Sequence, residues 1–302
     1  RDELFKILGG PKPSAAIKSL DLLGALTYVL PETLELKGVE QPPPHVLDVW
    51  NHTLKAVDYL EAILDVLEPG YDNQKTNELL TGILSMKLGR YRNQFHDHLK
   101  QQPGSDRSPR SLLFFATLFH DIAKPDKAEN IDSRIRFHGH DEEGALIAAR
   151  RAIKLRLSNA EIDRIKSVVQ NHMRIVNHIS HFQREGKIPT RRALYRFFRD
   201  TDSAGIDLCL LALADQRATY VNEMTQQIWT DDIDIVRIFL QNWWEKREES
   251  ISPPPLVNGD ELMADLKIKP GPDIGKILEG IRESQAVGQI TSRDEALQYA
   301  RA

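Results

Sequence analysis

The stretch LFHDIAKPDKAENIDSRIRFHGHDEEGA, from Leu118 to Ala145, gathers His120, Asp121, His138, His140, Asp141, Glu142 and Glu143 into one short span. An apolar run, LLFFATLF, leads directly into it. Imidazoles and carboxylates together suit first-row divalent ions such as Mn, Fe, Ni, Co or Zn, and suit Mg less well because of the nitrogen ligands. A bound ion of this kind lowers the pKa of its water and polarises a phosphoryl oxygen, and two ions can clamp both the attacking and the leaving oxygen.

Other residues of the same types fall where apolar ones belong. A stripe at helical spacing reads Val49, His52, Ala56, Leu60, Ile63, Leu67, and another reads Ile162, Ile165, Val169, His172, Val176. His52 and His172 therefore face inward. Asp215 ends the apolar run Leu208–Ala214 and is drawn inside with it. A lone inward histidine is more often a core residue that has found a hydrogen bond. A buried carboxylate without a partner is costly. His52, the His120-Asp121 pair, His172 and Asp215 come from separate helices, and convergence on a metal satisfies all of them at once. Lys124 lies one turn after His120 and could neutralise phosphate charge, or simply complement a helix C-terminus. His45 sits in a proline-rich connection, His96 and His98 flank Asp97 on a helix expected to be exposed, and His178 and His181 precede a basic loop; for these a structural or solvated role is expected.

The elements that must position these groups are nearly all helical, because apolar residues recur three and four apart and period-two alternation is scarce. The spacing predicts helices over SAAIKSLDLLGALTYVL, VLDVWNHTLKAVDYLEAILDVLEPG, the stretch 73–102, SLLFFATLFHDIAK, HDEEGALIAARRAIKLRL, AEIDRIKSVVQNHMRIVNHI behind a capping box at Ser158–Glu161, TRRALYRFFRDT, SAGIDLCLLALADQRATYVN and DDIDIVRIFLQNWWEKREES. The turn-rich PGSDRSPR is expected to be a surface loop. Proline runs at 42–44 and 253–255 mark breaks. The expected organisation is all-α: a helical lead-in over 1–45, a helical bundle over 46–250 with an insertion around 70–110, and a small C-terminal helical domain over 256–302. The 302 residues carry a net charge of −4, so no global basic field exists to hold a nucleic acid. The single cysteine, Cys209, excludes a disulfide framework and fits a reducing, cytoplasmic compartment. No stretch approaches a membrane span. The chain begins without a methionine, in what reads as mid-helix, and is expected to be a piece of something longer.

The order of His52 in VWNHTL, His120-Asp121 in FHDIAKP, His140 in GHDEEGA, His172 in VVQNHM and Asp215 in LADQRA resembles the HD superfamily of metal-dependent phosphohydrolases. The resemblance implies that His52, His120, Asp121 and Asp215 hold one divalent metal, and that His140 and His172 serve a second metal or the substrate phosphate. Asp121 is expected to take part in catalysis on a phosphate ester, and Lys124 with it where it neutralises phosphate charge. The flanks, LLGALTYVLPETLELKGVEQPPPHVLDVWNHTL and LVNGDELMADLKIKPGPDIGKILEGIRESQAVGQITSRDEALQYA, are similar to bacterial tRNA nucleotidyltransferases and poly(A) polymerases. That family's catalytic head uses a Gly-Ser pair and two close aspartates, and no such cluster is present: Asp231, Asp232 and Asp234 read as a helix start. The resemblance thus implies a C-terminal portion of an RNA-processing enzyme, with tRNA or RNA 3′ ends as partner. Candidate RNA contacts are Arg191, Arg192 and Arg196 in RRALYRFFRD, against a merely solvated basic face, and Gly271 in IKPGPDIGKIL, where a helix start presents free N–H groups. The alternatives are a standalone HD nucleotide phosphohydrolase and a non-catalytic tRNA-binding module.

Overall fold

The computed structural model describes residues 1–75, 78–100, 107–131 and 134–302. Their packing separates two units, Arg1–Gly186 with Ala204–Arg237, and Lys187–Ser203 with Ile238–Ala302. In chain order the first unit opens with α1 (Asp2–Gly9), α2 (Pro13–Leu22) and α3 (Leu26–Val29), followed by α4 (Val49–Val66), α5 (Leu79–Leu88), α6 (Arg92–Leu99) and α7 (Pro109–Phe119). A two-stranded antiparallel hairpin, β1 (Glu129–Ile131) and β2 (Arg134–Arg136), precedes α8 (His140–Lys154), α9 (Asn159–Asn171) and α10 (Met173–Glu185). The second unit contributes α11 (Arg191–Thr201), and the chain returns to the first through α12 (Ala204–Tyr220) and the start of α13 (Gln226–Glu245). The second unit closes with α14 (Arg247–Ser250), α15 (Gly259–Leu266), α16 (Pro272–Ala286) and α17 (Arg293–Arg301). The fold is all-α apart from the hairpin, as the periodicity predicts.

Local chemistry explains where the site-bearing helices start. Asp48 caps α4 by accepting from Asn51 N at 2.7 Å, directly after the proline run. The apolar stripe through Leu67 is buried throughout, and His52 is buried with it. Ser108 caps α7, Pro109 stands in its first turn, and every residue from Ser111 to Phe119 is buried. The capping box of α9 forms as expected, and its Glu161 also accepts from the buried Arg107 at 3.1 Å. α12 is buried on nearly all sides, against α4, α7, α9 and α10. A helix so enclosed must give each of its carboxylates a partner. Asp207 meets Arg164 at 2.7 and 2.9 Å and His98 at 2.8 Å. His98 is therefore turned toward the interior, with its side chain 9% exposed, while His96 stays at the surface.

Further expectations change. The helix read over SAAIKSLDLLGALTYVL divides into α2 and α3 around Gly24, whose φ of 69° breaks it. The helix read over 160–179 breaks at His172, because the Asn171 amide donates to Ser167 O and His172 Nδ1 to Val169 O, drawing those carbonyls into side-chain bonds. The stretch read as one helix over 73–102 is α5, a 3₁₀ turn at Gly89–Tyr91 and α6. Of that reading and of the loop read over 103–110, residues 76–77 and 101–106 lie outside the described residues. The acidic group at 231–234 does not start a helix, since α13 begins at Gln226 and Asp232 is fully buried. Among the described residues no helix is long and apolar enough to cross a membrane.

Asp232 has one carboxylate oxygen bonded to the Gln183 amide at 2.8 Å, and the other finds no partner. Burial, reinforced by Asp231, pushes its pKa up to about 8. An acid whose folded pKa lies above its unfolded value stabilises the fold fully only below the unfolded pKa. That contribution fades as pH rises from about 4 to about 8. Asp232→Asn keeps the acceptor for Gln183 and cannot ionise. Thermal melts from pH 4 to pH 9 should show the parent losing on the order of a few kcal/mol that the variant retains. Parallel curves for the two proteins would mean that Asp232 is ionised in the fold at neutral pH.

Candidate metal centre

Seven side chains from four helices and one turn converge inside the first unit. His52 comes from α4, His120, Asp121 and Lys124 from the turn that ends α7, His140 from the first position of α8, His172 from the junction of α9 and α10, and Asp215 from α12. The turn after α7 is tightened by Ile122 N to Phe119 O and Lys124 N to Asp121 O, which swings the His-Asp pair out of the helix register. All seven are buried, the most exposed of them at 8%.

The ligand atoms form two groups: His52, His120 and Asp215, and Asp121, His140 and His172, each with its atoms within 4.8 Å of one another. Asp121 links them. Its Oδ2 lies 3.2 Å from His120 Nε2 and 3.7 Å from His52 Nε2, and its Oδ1 lies 3.4 Å from His140 Nε2 and 3.7 Å from His172 Nε2. Asp215 Oδ1 is 2.9 Å from His52 Nε2 and 3.8 Å from His120 Nε2.

Three of the histidines are oriented alike. His120, His140 and His172 each place Nδ1 2.7 Å from the carbonyl oxygen three residues earlier, Thr117, Phe137 and Val169 respectively. A carbonyl only accepts, so Nδ1 carries the proton and Nε2 points its remaining valence into the site. His140 Nε2 and His172 Nε2 then meet at 3.1 Å, where a proton or a cation must separate two lone pairs. Burial and the neighbouring His120 and His140 push the His172 pKa down to about 4, so His172 is neutral.

The electrostatics require positive charge in the centre. Burial alone would raise Asp121 and Asp215, yet both are held well below the usual carboxylate range, Asp121 mainly by His120 and Lys124, Asp215 by His120 and His52. Burial opposes a charge on His120, but the two carboxylates outweigh it and raise its pKa to about 10. His52 Nδ1 is buried without a hydrogen-bond partner, and His120 Nε2 meets only carboxylate oxygens, Asp121 Oδ2 at 3.2 Å and Asp215 Oδ1 at 3.8 Å. Buried polar atoms so poorly matched are rare in a settled core. The donor set, nitrogen and carboxylate oxygen, fits a first-row divalent ion, and two such ions could share Asp121.

Lys124 Nζ lies 2.7 Å from Asp121 Oδ2 and 2.6 Å from Gln41 Oε1, beneath the Phe137 ring at 5.4 Å. His45, assigned no role from sequence, packs edge-on against His52 with ring centroids 5.1 Å apart. Its Nδ1 is 3.2 Å from Pro42 O and its Nε2 3.4 Å from Thr219 Oγ1. Burial, with Lys124 and His52 nearby, pushes its pKa down to about 4. Only the path of the connection brings Gln41 and His45 here, and no local spacing signals that path. His138 points to the surface, two residues from His140.

The candidate RNA residues belong to the second unit. Arg192 and Arg196 both pair with Glu283, at 3.0 and 2.7 Å, Arg199 approaches the same carboxylate at 3.8 Å, and Arg191 pairs with Glu249. Tyr195 donates to Glu279, and Phe197 and Phe198 pack on Phe239. Gly271 stands before α16 in extended backbone with φ 179°.

Comparison with known proteins follows the same lines. The family model "HD domain" matches residues 49–219, and the model "tRNA nucleotidyltransferase domain 2" matches residues 148–300. The chain belongs to the HD-domain family and, through its C-terminal half, to the tRNA nucleotidyltransferase domain 2 family. It is 29% identical over 302 residues to the A-adding tRNA nucleotidyltransferase of Deinococcus radiodurans, covering 98% of this chain and 56% of the relative. It is 27% identical over 299 residues to the CC-adding tRNA nucleotidyltransferase of Thermus thermophilus, covering 98% of this chain and 54% of the relative. The chain thus spans about half the length of the curated relatives it matches.

Proposed function

We propose that this chain is the HD-bearing portion of a tRNA-processing enzyme and that its buried centre hydrolyses phosphate esters with the help of one or two divalent ions. The observation that carries this reading is the Asp121 carboxylate, whose two oxygens face separate groups of imidazoles. His52, His120, Asp121 and Asp215 would hold one ion, and His140 and His172, with the far oxygen of Asp121, a second ion or a phosphate oxygen. A bound ion supplies Lewis acidity and an activated water. Lys124, now tied to Asp121, is placed to turn its ammonium toward the charge of a phosphoryl group. Low exposure of the ligands keeps bulk water from screening these charges. The partner proposed for the whole enzyme is tRNA, from the printed activities of its relatives.

The test is hydrolysis of bis(p-nitrophenyl) phosphate, 2′,3′-cyclic nucleotides and nucleoside triphosphates with Mn, Ni, Co, Zn and Mg in turn. Turnover should need added metal, stop with chelator and be lost in Asp215→Ala. A folded, metal-replete protein without turnover on any ester would favour an RNA-holding role, the reading that the nucleotide-adding activities of the relatives also support.

A further inference from the structure

The connection between α3 and α4 is a pinned loop rather than a slack linker. Gly38 N donates to Asp48 Oδ2 at 3.2 Å and Val49 N to Val39 O at 3.0 Å, closing the base. The Gln41 amide donates to Leu47 O at 3.2 Å across the loop, and His45 N to Pro42 O at 3.2 Å. The residues so held bring two side chains to the centre: Gln41 on Lys124 and His45 between His52 and Thr219. The residues proposed to hold metal all lie within 49–219, the span matched by the HD model; Gln41 and His45 lie outside it. The ion-holding set and the loop set are thus separate in the chain, and the loop set touches the centre only through Lys124, His52 and Thr219.

The two side chains offer complementary chemistry. Gln41 Oε1 fixes the ammonium of Lys124, a donor with affinity for a phosphoryl oxygen. His45 gives its Nδ1–H to a carbonyl, which leaves Nε2 an acceptor. An acceptor repels phosphate oxygens and suits a hydroxyl. Its present neighbour, the Thr219 hydroxyl at 3.4 Å, is a long and therefore weak partner that a better-placed hydroxyl could displace.

We infer that the Gly38–Val49 loop is the substrate-reading wall of the centre. Gln41 positions Lys124 for the phosphate, and His45 Nε2 accepts a hydrogen bond from a hydroxyl adjacent to that phosphate. The substrate class is then a phosphate ester on a sugar that keeps its neighbouring hydroxyl, a ribonucleotide in preference to a deoxyribonucleotide. This inference rests on the proposed metal-dependent reading of the same site.

Binding tests it without turnover. The whole chain, loaded with Mn, is titrated by calorimetry with the non-hydrolysable 3′-phosphonomethyl analogues of adenosine and of 2′-deoxyadenosine. The parent should prefer the ribose form by about fivefold, the worth of one neutral hydrogen bond. His45→Leu should bind both alike, and His45→Gln, whose amide oxygen can accept, should restore the preference. Gln41→Leu should weaken both analogues by the same factor and leave the preference intact. Mn affinity should stay within about twofold of the parent in all three, as expected of residues that position substrate rather than hold the ion. Equal affinities in the parent, or a preference that survives His45→Leu, would overturn the inference while leaving the metal reading standing. Mn affinity that drops with the loop variants would also overturn it, by making them part of the metal set. A parent that binds no Mn, or an Asp121→Ala variant that binds it as well as the parent, removes the underlying reading instead.

Discussion

Asp121→Asn should lower metal-dependent turnover by a factor of about a thousand or more and reduce the number of ions bound per chain. No other carboxylate in the centre presents separate oxygens to both groups of imidazoles, at 3.2 Å on one side and 3.4 Å on the other. Asparagine keeps the shape but supplies one acceptor and one donor, so one side of the bridge would face an N–H. It also removes the charge that holds Lys124 at 2.7 Å. The measurement pairs metal content by elemental analysis with kcat on the preferred ester. His140→Ala is the comparison: it should thin the second group alone and leave the first ion in place. If Asp121→Asn retained full metal content and full kcat, the bridging reading would be wrong and the carboxylate would be a structural partner of His120.

The second large effect concerns stability rather than chemistry. Asp207→Ala should destabilise the first unit by roughly 3–5 kcal/mol, because it leaves the Arg164 guanidinium without its counter-charge and His98 without its carboxylate partner. Asp207 is fully buried, and Arg164 and His98 both bond to it within 3 Å. Burial alone would raise its pKa, but Arg164 and His98 hold it below the ordinary carboxylate value. The fold therefore loses this contribution as pH falls through that lowered pKa. Urea unfolding should show a lower midpoint with an unchanged slope. The triple replacement Asp207→Leu, Arg164→Met, His98→Leu should recover most of the loss, since an apolar set needs no counter-charge. A single replacement costing under 1 kcal/mol would show that water reaches the network.

Much of the convergence of His52, His120, Asp121, His172 and Asp215 was legible in the sequence because these residues interrupt or end regular apolar patterns. His52 stands in a stripe whose other members are all buried, and Asp215 terminates a run that is almost wholly core. Such interruptions survive translation into structure because helical periodicity fixes which face a residue takes. His45 and Gln41 carry no comparable signal. Their positions depend on where a pinned loop lands, which is set by hydrogen bonds between residues that only the fold brings close. The same holds for His98, whose partner Asp207 is 109 residues away. Asp232 misled for a related reason: a cluster of acids reads as a solvated helix start unless the packing that buries one of them is known. The break at His172 was hidden because the side-chain bonds that make it compete with a helix that the local pattern favours.

The shared orientation of His120, His140 and His172 has a genetic corollary. What holds each ring is a main-chain oxygen three residues upstream, at Thr117, Phe137 and Val169. Every amino acid supplies that oxygen. Alanine at these positions would therefore leave the imidazoles aimed as before, so any loss it causes would report lost packing, since Thr117 and Val169 are buried and Phe137 covers Lys124, rather than a freed ring. The robustness ends where the trace of the backbone itself is altered: a proline placed just after any of these carbonyls, or an insertion between carbonyl and ring, would disarm a histidine that still stands unchanged in the sequence.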